Sequence, residues 1–227
     1  GVRVKLLRVP HAAHSRWIGP VNLGEVVRDS SGLVQAAIPV AARLVLELAD
    51  GLPAIEADPN QVRQVLINLV TNAGEALPGG SGTVSVRTGQ LTADAGYLAG
   101  TILPEAMSPG CCCFLEIADE GAGIPPAVAR RMFEPFFTTR FPGRGLGLAA
   151  VLGIVRRHRG TLRVDTAPGG TTVRVLFPLA ASRPPASRVP PPAAAAPGTV
   201  LLVDDEENVL RLMPVFLKRA GFTVLTA

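Results

Sequence analysis

The stretch "DPNQVRQVLINLVTNAGEALPGG" has the clearest periodicity in the chain, with Val62, Val65, Leu66, Leu69, Val70 and Ala73 recurring at three- and four-residue steps. That spacing lines one face of an α-helix with apolar side chains. Asp58 is a suitable N-cap, Pro59 fits the first helical position, Gln61 stands at capping-box spacing, and Pro78-Gly79-Gly80 ends the element. Residues 23–49 are also amphipathic and read as mostly helical, with Pro39 interrupting or starting a helix.

Four further stretches complete the pattern. "GTVSVRTGQ" alternates as a strand does, and "CCCFLEIADEGAGIP" is an apolar strand running into a glycine turn. "RGLGLAAVLGIVRRHRG" reads as a loop followed by a helix. "GTLRVDTAPGGTTVRVLFPL" reads as a hairpin with its turn at Ala167–Gly170. Helices combined with a mostly antiparallel sheet predict an α+β fold, a two-layer α/β sandwich.

Between Ala181 and Gly198 the periodicity stops in "ASRPPASRVPPPAAAAPG", a composition that favours a semi-rigid extended linker. It divides a body at 21–180 from a short segment at 199–227, while residues 1–20 carry no assignable pattern. Hydrophobic residues make up 48% and charged residues 18% of the 227, enough for a substantial core and against wholesale disorder. The chain does not begin with Met and ends in mid-pattern, so a piece of a longer protein is expected.

The net charge of +4 is mild, but its distribution is not. Eight arginines and a single acid, Glu134, lie between Arg130 and Arg163, a field that favours an anionic ligand. An arginine-rich proteome would place arginines there equally well. The adjacent Cys111, Cys112 and Cys113 point alternately to opposite strand faces, so they cannot share one metal. They read as small buried residues in a reducing compartment. No run of 18 uncharged apolar residues and no signal-peptide pattern is present, so a soluble, cytoplasmic chain is expected.

Three places carry candidate chemistry. Asn68 and Asn72 are four apart on one helix face, with Gln64 and Glu75 extending the polar stripe. Their amide oxygens suit a hard cation such as Mg²⁺ shared with phosphates, although asparagines on a solvated face are ordinary. Asp119-Glu-Gly121-Ala-Gly123-Ile124 follows the apolar strand. A carboxylate there can accept the exocyclic amine of a purine, and the glycines allow a flat base to approach, but a lone DxGxG is also simply a turn. The third is "FEPFFTTRFPGRGLGLAA", with Phe133, Phe136 and Phe137 followed by Gly143, Gly145 and Gly147 before a helix. Such a loop can present backbone N–H groups and Arg140 or Arg144 to phosphate, or can simply be flexible.

Taken in order, "NLVTNAGEAL", "DEGAGIP", "FEPFFTTR", "GRGLGL" and "GGTT" resemble the N, G1, F, G2 and last glycine boxes of the catalytic ATP-binding domain of sensor histidine kinases. That domain belongs to the wider superfamily that includes gyrase, Hsp90 and MutL-type ATPases. The resemblance covers about Leu23 to Leu179 and implies a Bergerat-type ATP-binding fold, with ATP and Mg²⁺ as cofactors. It implies that Asn72 ligates Mg²⁺, Asn68 sits beside the phosphates, and Asp119 binds the adenine amine with help from Thr171 or Thr172. It implies that Gly121, Gly123 and Ile124 line the base, and that Arg140, Gly143, Gly145, Leu146, Gly147 and Leu148 form a lid over the triphosphate. Phe133, Phe136 and Phe137 would anchor that lid, and Asn68 and Arg140 would serve catalysis.

Two departures from the family pattern stand out. Arg140 replaces the usual lysine after the paired threonines, and the lid is about two residues shorter than usual. In "RRHRG", Arg159 stands where a second glycine is common, and His158 reads as structural.

The last segment, "TVLLVDDEENVLRLMPVFLKRAGFTVLTA", is a strand, an acid pair, an amphipathic helix and a strand. It resembles the opening of a response-regulator receiver, a flavodoxin-like α/β domain here truncated, with Asp204 and Asp205 as its acidic pair for Mg²⁺. A hybrid kinase is therefore expected, transferring the γ-phosphoryl of ATP to a histidine. Its partners would be a dimerisation domain carrying that histidine and a receiver domain or response regulator. A homodimer is expected in the full-length protein and nucleic acid is not expected as a partner. His11 and His14 lack the helical context of a phosphoacceptor. An ATP-binding module, or an ATPase of the same superfamily, is the alternative. ATPase relatives commonly have a glutamate base where this chain has Asn68.

Overall fold

The computed structural model describes residues 18–138 and 146–180, together with strands at 199–202 and 223–226. The chain divides into two compact units, Gly1–Ala181 and Ser182–Ala227.

In the first unit the element order is β1 (Gly19–Val21), α1 (Leu23–Asp29), α2 (Ser31–Ala36), β2 (Ala42–Leu48), β3 (Ile55–Ala57) and α3 (Pro59–Ala76). There follow β4 (Gly82–Ala93), α4 (Ala95–Ala99), β5 (Gly110–Asp119), α5 (Pro126–Ala129), α6 (Gly147–Arg157), β6 (Thr161–Ala167) and β7 (Gly170–Pro178). Among the described residues, five strands form one sheet in the order β2-β4-β5-β7-β6. The β2–β4 pair is parallel and the other three pairs are antiparallel. The sheet is therefore mixed, and α3 and α6 cover one face of it, which is the two-layer α/β sandwich expected. β1 and β3 make a separate antiparallel pair. In the second unit, β8 (Thr199–Leu202) pairs with β9 (Thr223–Thr226) in parallel.

The helix predicted from Asp58 forms as read. Asp58 accepts the Asn60 N–H at 2.9 Å, Pro59 occupies the first turn, and Val62, Val65, Leu66, Leu69, Val70 and Ala73 are all buried. They meet Val84, Val86, Leu115, Ile117, Val175 and Phe177 of the sheet in one continuous core. Burying each Val or Leu contributes on the order of 1.5–3 kcal/mol. Leu66→Ala, at a fully buried position, would cost about 2–5 kcal/mol.

Three expectations are corrected. Residues 23–49 are not mostly helical: α2 ends at Ala36, before Pro39, and Ala42–Leu48 is an edge strand. Leu44, Val45, Leu46 and Leu48 satisfy a helical and an alternating template equally well, and parallel pairing to β4 decides between them. Gln61 does not complete a capping box; its Oε1 is buried without a hydrogen-bond partner, and the Asp58 N–H donates to His158 Nε2 instead. Cys112 and Cys113 are buried as expected but Cys111 is exposed. The β5–β7 ladder ends at Cys112–Pro178, leaving Cys111 beyond its cover.

The other face of the sheet carries α4 and a small cluster of Ala93, Leu98, Met107, Cys112 and Leu176. Beside it, Glu116 is only 3% exposed and is held between Arg87 and Arg174. Among the described residues, no helix is long and apolar enough to cross a membrane.

Candidate functional site

The geometry is built from the C-terminal end of β5. Asp119 is the last strand residue, registered between Val84 of β4 and Thr171 of β7. The chain then turns back on itself, so that the Gly121 N–H donates to Asp119 Oδ1 at 2.8 Å. A β-carbon at Gly121 would stand 2.6 Å from that oxygen and 2.8 Å from the Ala76 carbonyl, so only glycine fits between the carboxylate and the end of α3. Gly123 has φ +78°, and a β-carbon there would run into the Ala167 carbonyl.

Burial pushes the Asp119 carboxyl above its ordinary value, while the backbone N–H groups of Gly121 and Thr171 pull it back down. A half-buried carboxylate at a strand end, with a space-limited turn beside it, is an acceptor positioned for a directional donor such as an amine.

Thr166 escaped the sequence reading. Its Oγ1 accepts the Ile124 N–H at 2.8 Å and lies 3.1 Å from Thr171 Oγ1, tying the glycine turn to the β6–β7 hairpin. The hairpin turn at Ala167–Gly170 already implies the Thr166–Thr171 pairing, and that register was the available signal. Thr171 is buried on the face of β7 that carries Val173 and Val175. Thr172 alternates to the opposite face with Arg174, so of the two threonines only Thr171 joins Asp119.

On α3, Asn68 and Asn72 share a face as predicted. Asn68 Nδ2 donates to the Gly147 carbonyl at 3.2 Å, joining this helix to the first residue of α6. Asn72 Nδ2 is buried and has no hydrogen-bond partner among the described residues. An orphaned buried amide costs about 1–3 kcal/mol, which a bound ligand would relieve. Because Gly121 packs on Ala76, one turn beyond Asn72, the glycine turn and the asparagine pair share the C-terminal half of α3.

Phe133 packs partly buried against the core. Phe137 lies under the Arg131 guanidinium, 4.5 Å from the ring centroid. Phe136 does not pack on the core as Phe133 does: it is 78% exposed, with a left-handed φ of 65°. Leu146 is exposed at the N-cap of α6, and Leu148 packs partly buried on the core. Arg140, Gly143, Gly145, Asp204 and Asp205 lie outside the described residues, as do His11 and His14. A separate cleft of about 510 Å³, lined by Glu56, Met107, Cys111, Arg157 and Arg159 among others, lies at the opposite end of the sheet, by the start of β5 and the end of α6.

A five-stranded mixed sheet with two long helices on one face, and an acid–glycine turn facing an asparagine-bearing helix, define an α+β sandwich of the nucleotide-handling kind. The model of the histidine kinase-, DNA gyrase B- and HSP90-like ATPase family matches residues 57–181, and the chain belongs to that family. It is 34% identical over 161 residues to the sensory histidine kinase/phosphatase NtrB of Rhodobacter capsulatus, covering 71% of this chain. The chain spans 44% of that relative's length. Among solved structures it resembles the mycobacterial sensor histidine kinase MprB, with TM-score 0.56, 29% identity and coverage of 71% of this chain and 97% of that one. It shares its fold with full-length ShkA in complex with AMPPNP at TM-score 0.56 and 24% identity, over 93% of this chain and 41% of that one.

Proposed function

We propose that this chain is the ATP-handling catalytic portion of a hybrid sensor histidine kinase, which transfers the γ-phosphoryl of ATP to a histidine on a dimerisation helix. The observation that carries the reading is the orphaned Asn72 amide, one turn from the Ala76 surface on which the Asp119 glycine turn packs. A base held at Asp119 would point its phosphates along the asparagine face of α3.

In this reading Asp119 accepts the adenine amine, Thr171 supports it, and Gly121, Gly123 and Ile124 line the base. Asn68 sits beside the phosphates. Arg140, Gly143, Gly145, Leu146, Gly147 and Leu148 form the lid, with Phe133 and Phe137 at its base. The donor set fits Mg²⁺: Asn72 offers an amide oxygen to a hard cation while its orphaned Nδ2 is free for a phosphate oxygen. Bound there, Mg²⁺ would neutralise triphosphate charge. The protein's own contribution is positioning and a polar site arranged in advance. The family membership and the AMPPNP complex of the ShkA neighbour support ATP as the ligand.

The receiver reading of 199–227, with Asp204 and Asp205 as its acidic pair, rests on the motif and on the parallel β8–β9 pair. A homodimer that works with a response regulator, located in the cytoplasm where ATP is supplied, completes the proposal. The test is incubation with γ-labelled ATP, with and without a dimerisation-domain partner. Label transferred to a partner histidine is expected. Phosphate release without transfer would favour an ATPase of the same family, and binding with neither would leave an ATP-binding module.

A further inference from the structure

His158 is 4% exposed, at the C-cap of α6, and both of its ring nitrogens are engaged. Nε2 accepts the backbone N–H of Asp58 at 3.1 Å, so it carries no proton. Nδ1, 2.8 Å from the Ile154 carbonyl, must then be the protonated nitrogen that donates to it. Phe177 meets the ring edge-on, with centroids 6.3 Å apart and planes at 83°. The ring is thus fixed in position, orientation and tautomer.

Asp58 is the N-cap of α3, the helix that carries Asn68 and Asn72. At the other end of the pair, Asn68 Nδ2 donates to the Gly147 carbonyl, the start of α6. The two helices therefore run against each other and are tied twice. From Asp58 to Asn68 is ten residues, about 15 Å of helix, and from Gly147 to His158 is eleven, about 16.5 Å. The stretches between the two ties are stiff and nearly equal in length, so the helices cannot slide along each other without breaking a tie.

We infer that His158 is a positioning residue: through the Asp58 amide it fixes the axial register of α6 on α3, and so the stance of Gly147 relative to Asn68 and Asn72. It touches no reacting atom and acts only through the frame. The inference rests on the proposed reading of the site as one that holds ATP. Its effect falls on the phosphate end, because Asp119 and Thr171 belong to strands outside the two-helix frame.

The test uses the full 227-residue chain and two conservative variants. His158→Gln keeps an acceptor at the reach of Nε2, whereas His158→Asn keeps a donor near Nδ1 and cannot reach Asp58. Calorimetric titration with MgATP and with adenosine separates the phosphate end from the base end. His158→Asn should weaken MgATP about fivefold, the effect of one net hydrogen bond, and leave adenosine unchanged. His158→Gln should bind MgATP within about twofold of the parent. Equal affinities in the two variants, or adenosine lost in step with MgATP, would reduce His158 to a core-filling residue. If the parent binds neither ligand, the ATP reading fails on its own, and long-range ¹H–¹⁵N spectra of the parent still test the pin. An unprotonated Nε2 and a hydrogen-bonded Asp58 amide are expected there; an Nε2–H tautomer overturns the inference, whether or not a variant folds.

Discussion

Asp119 and Gly121 form a closed two-residue device, in which the carboxylate oxygen Oδ1 accepts the N–H of the glycine at 2.8 Å while no side chain fits beside it. Burial raises the pKa of the group, and the backbone N–H groups of Gly121 and Thr171 offset part of that rise. A carboxyl whose folded pKa lies above its unfolded value favours the fold in its neutral form. That contribution is present below the unfolded pKa and is lost as pH rises through the folded one. At neutral pH the carboxylate therefore costs the empty domain stability. Asp119→Asn should raise the melting temperature of the unliganded chain while abolishing ATP binding, and the stability gap should close on acidification. Thermal unfolding across pH, paired with titration of ATP, measures both; unchanged ATP affinity would remove Asp119 from the adenine contact.

Gly123→Ala probes the second half of the same turn. The residue has φ +78°, and its β-carbon would meet the Ala167 carbonyl, so strain and collision act together. A loss of about 2 kcal/mol in urea denaturation is expected. A loss under about 0.5 kcal/mol, the range of ordinary surface changes, would mean that the turn relaxes freely.

These turns were legible in the sequence because a positive φ or a tight approach demands glycine, and Asp119-Glu-Gly-Ala-Gly states that demand locally. The N-cap at Asp58 was legible for the same reason, since capping chemistry lies within four residues. What escaped depends on partners distant in sequence. The Asp58 amide goes to His158, one hundred residues on, rather than to Gln61. Ala42–Leu48 becomes a strand only because β4 is available beside it. Adjacency in sequence cannot choose between Thr171 and Thr172; strand alternation does, and Thr166 stands beside Thr171 through the register of the hairpin.

The three adjacent cysteines should differ sharply in reactivity. Burial, reinforced by the neighbouring thiols of Cys113 and Cys111, pushes the Cys112 thiol up to about 11, and burial also raises Cys113. Cys111 is exposed. Brief treatment of the folded chain with iodoacetamide at neutral pH should give one adduct, on Cys111, by peptide mass spectrometry, since the thiolate is the reactive form. Labelling of Cys112 or Cys113 at a comparable rate would show that β5 opens readily.

Glu116 accepts Arg174 Nε at 2.6 Å and Arg87 Nη1 at 3.3 Å, and Arg87 reaches on to Glu47 at 2.8 Å. The acid is buried, but the Arg87 and Arg174 side chains are 50% and 30% exposed and can rehydrate once it is removed. Glu116→Ala should therefore cost about 2 kcal/mol, below the 3–5 kcal/mol typical of breaking a fully buried pair. Denaturant unfolding at low and high salt checks this, and most of the cost should survive high salt because the Glu116 carboxylate is shielded from solvent.

The end of α6 is a Schellman motif with an unusual occupant. The Gly160 N–H donates to the Val155 carbonyl and the Arg159 N–H to that of Arg156, which leaves Arg159 at the left-handed position with φ 53°. An L-residue there costs roughly 1–2 kcal/mol, and glycine would avoid the cost at about 0.4–1 kcal/mol of added unfolded-chain entropy. Arg159→Gly should thus stabilise the chain by about 0.5–1 kcal/mol, whereas Arg159→Ala keeps the strained backbone and should gain nothing. Gly160→Ala should do the reverse, because a β-carbon at that position would strike the Leu176 carbonyl. Urea denaturation of the three variants gives the ordering directly, and equal stability of the Gly and Ala variants at 159 would show that the left-handed turn carries no strain.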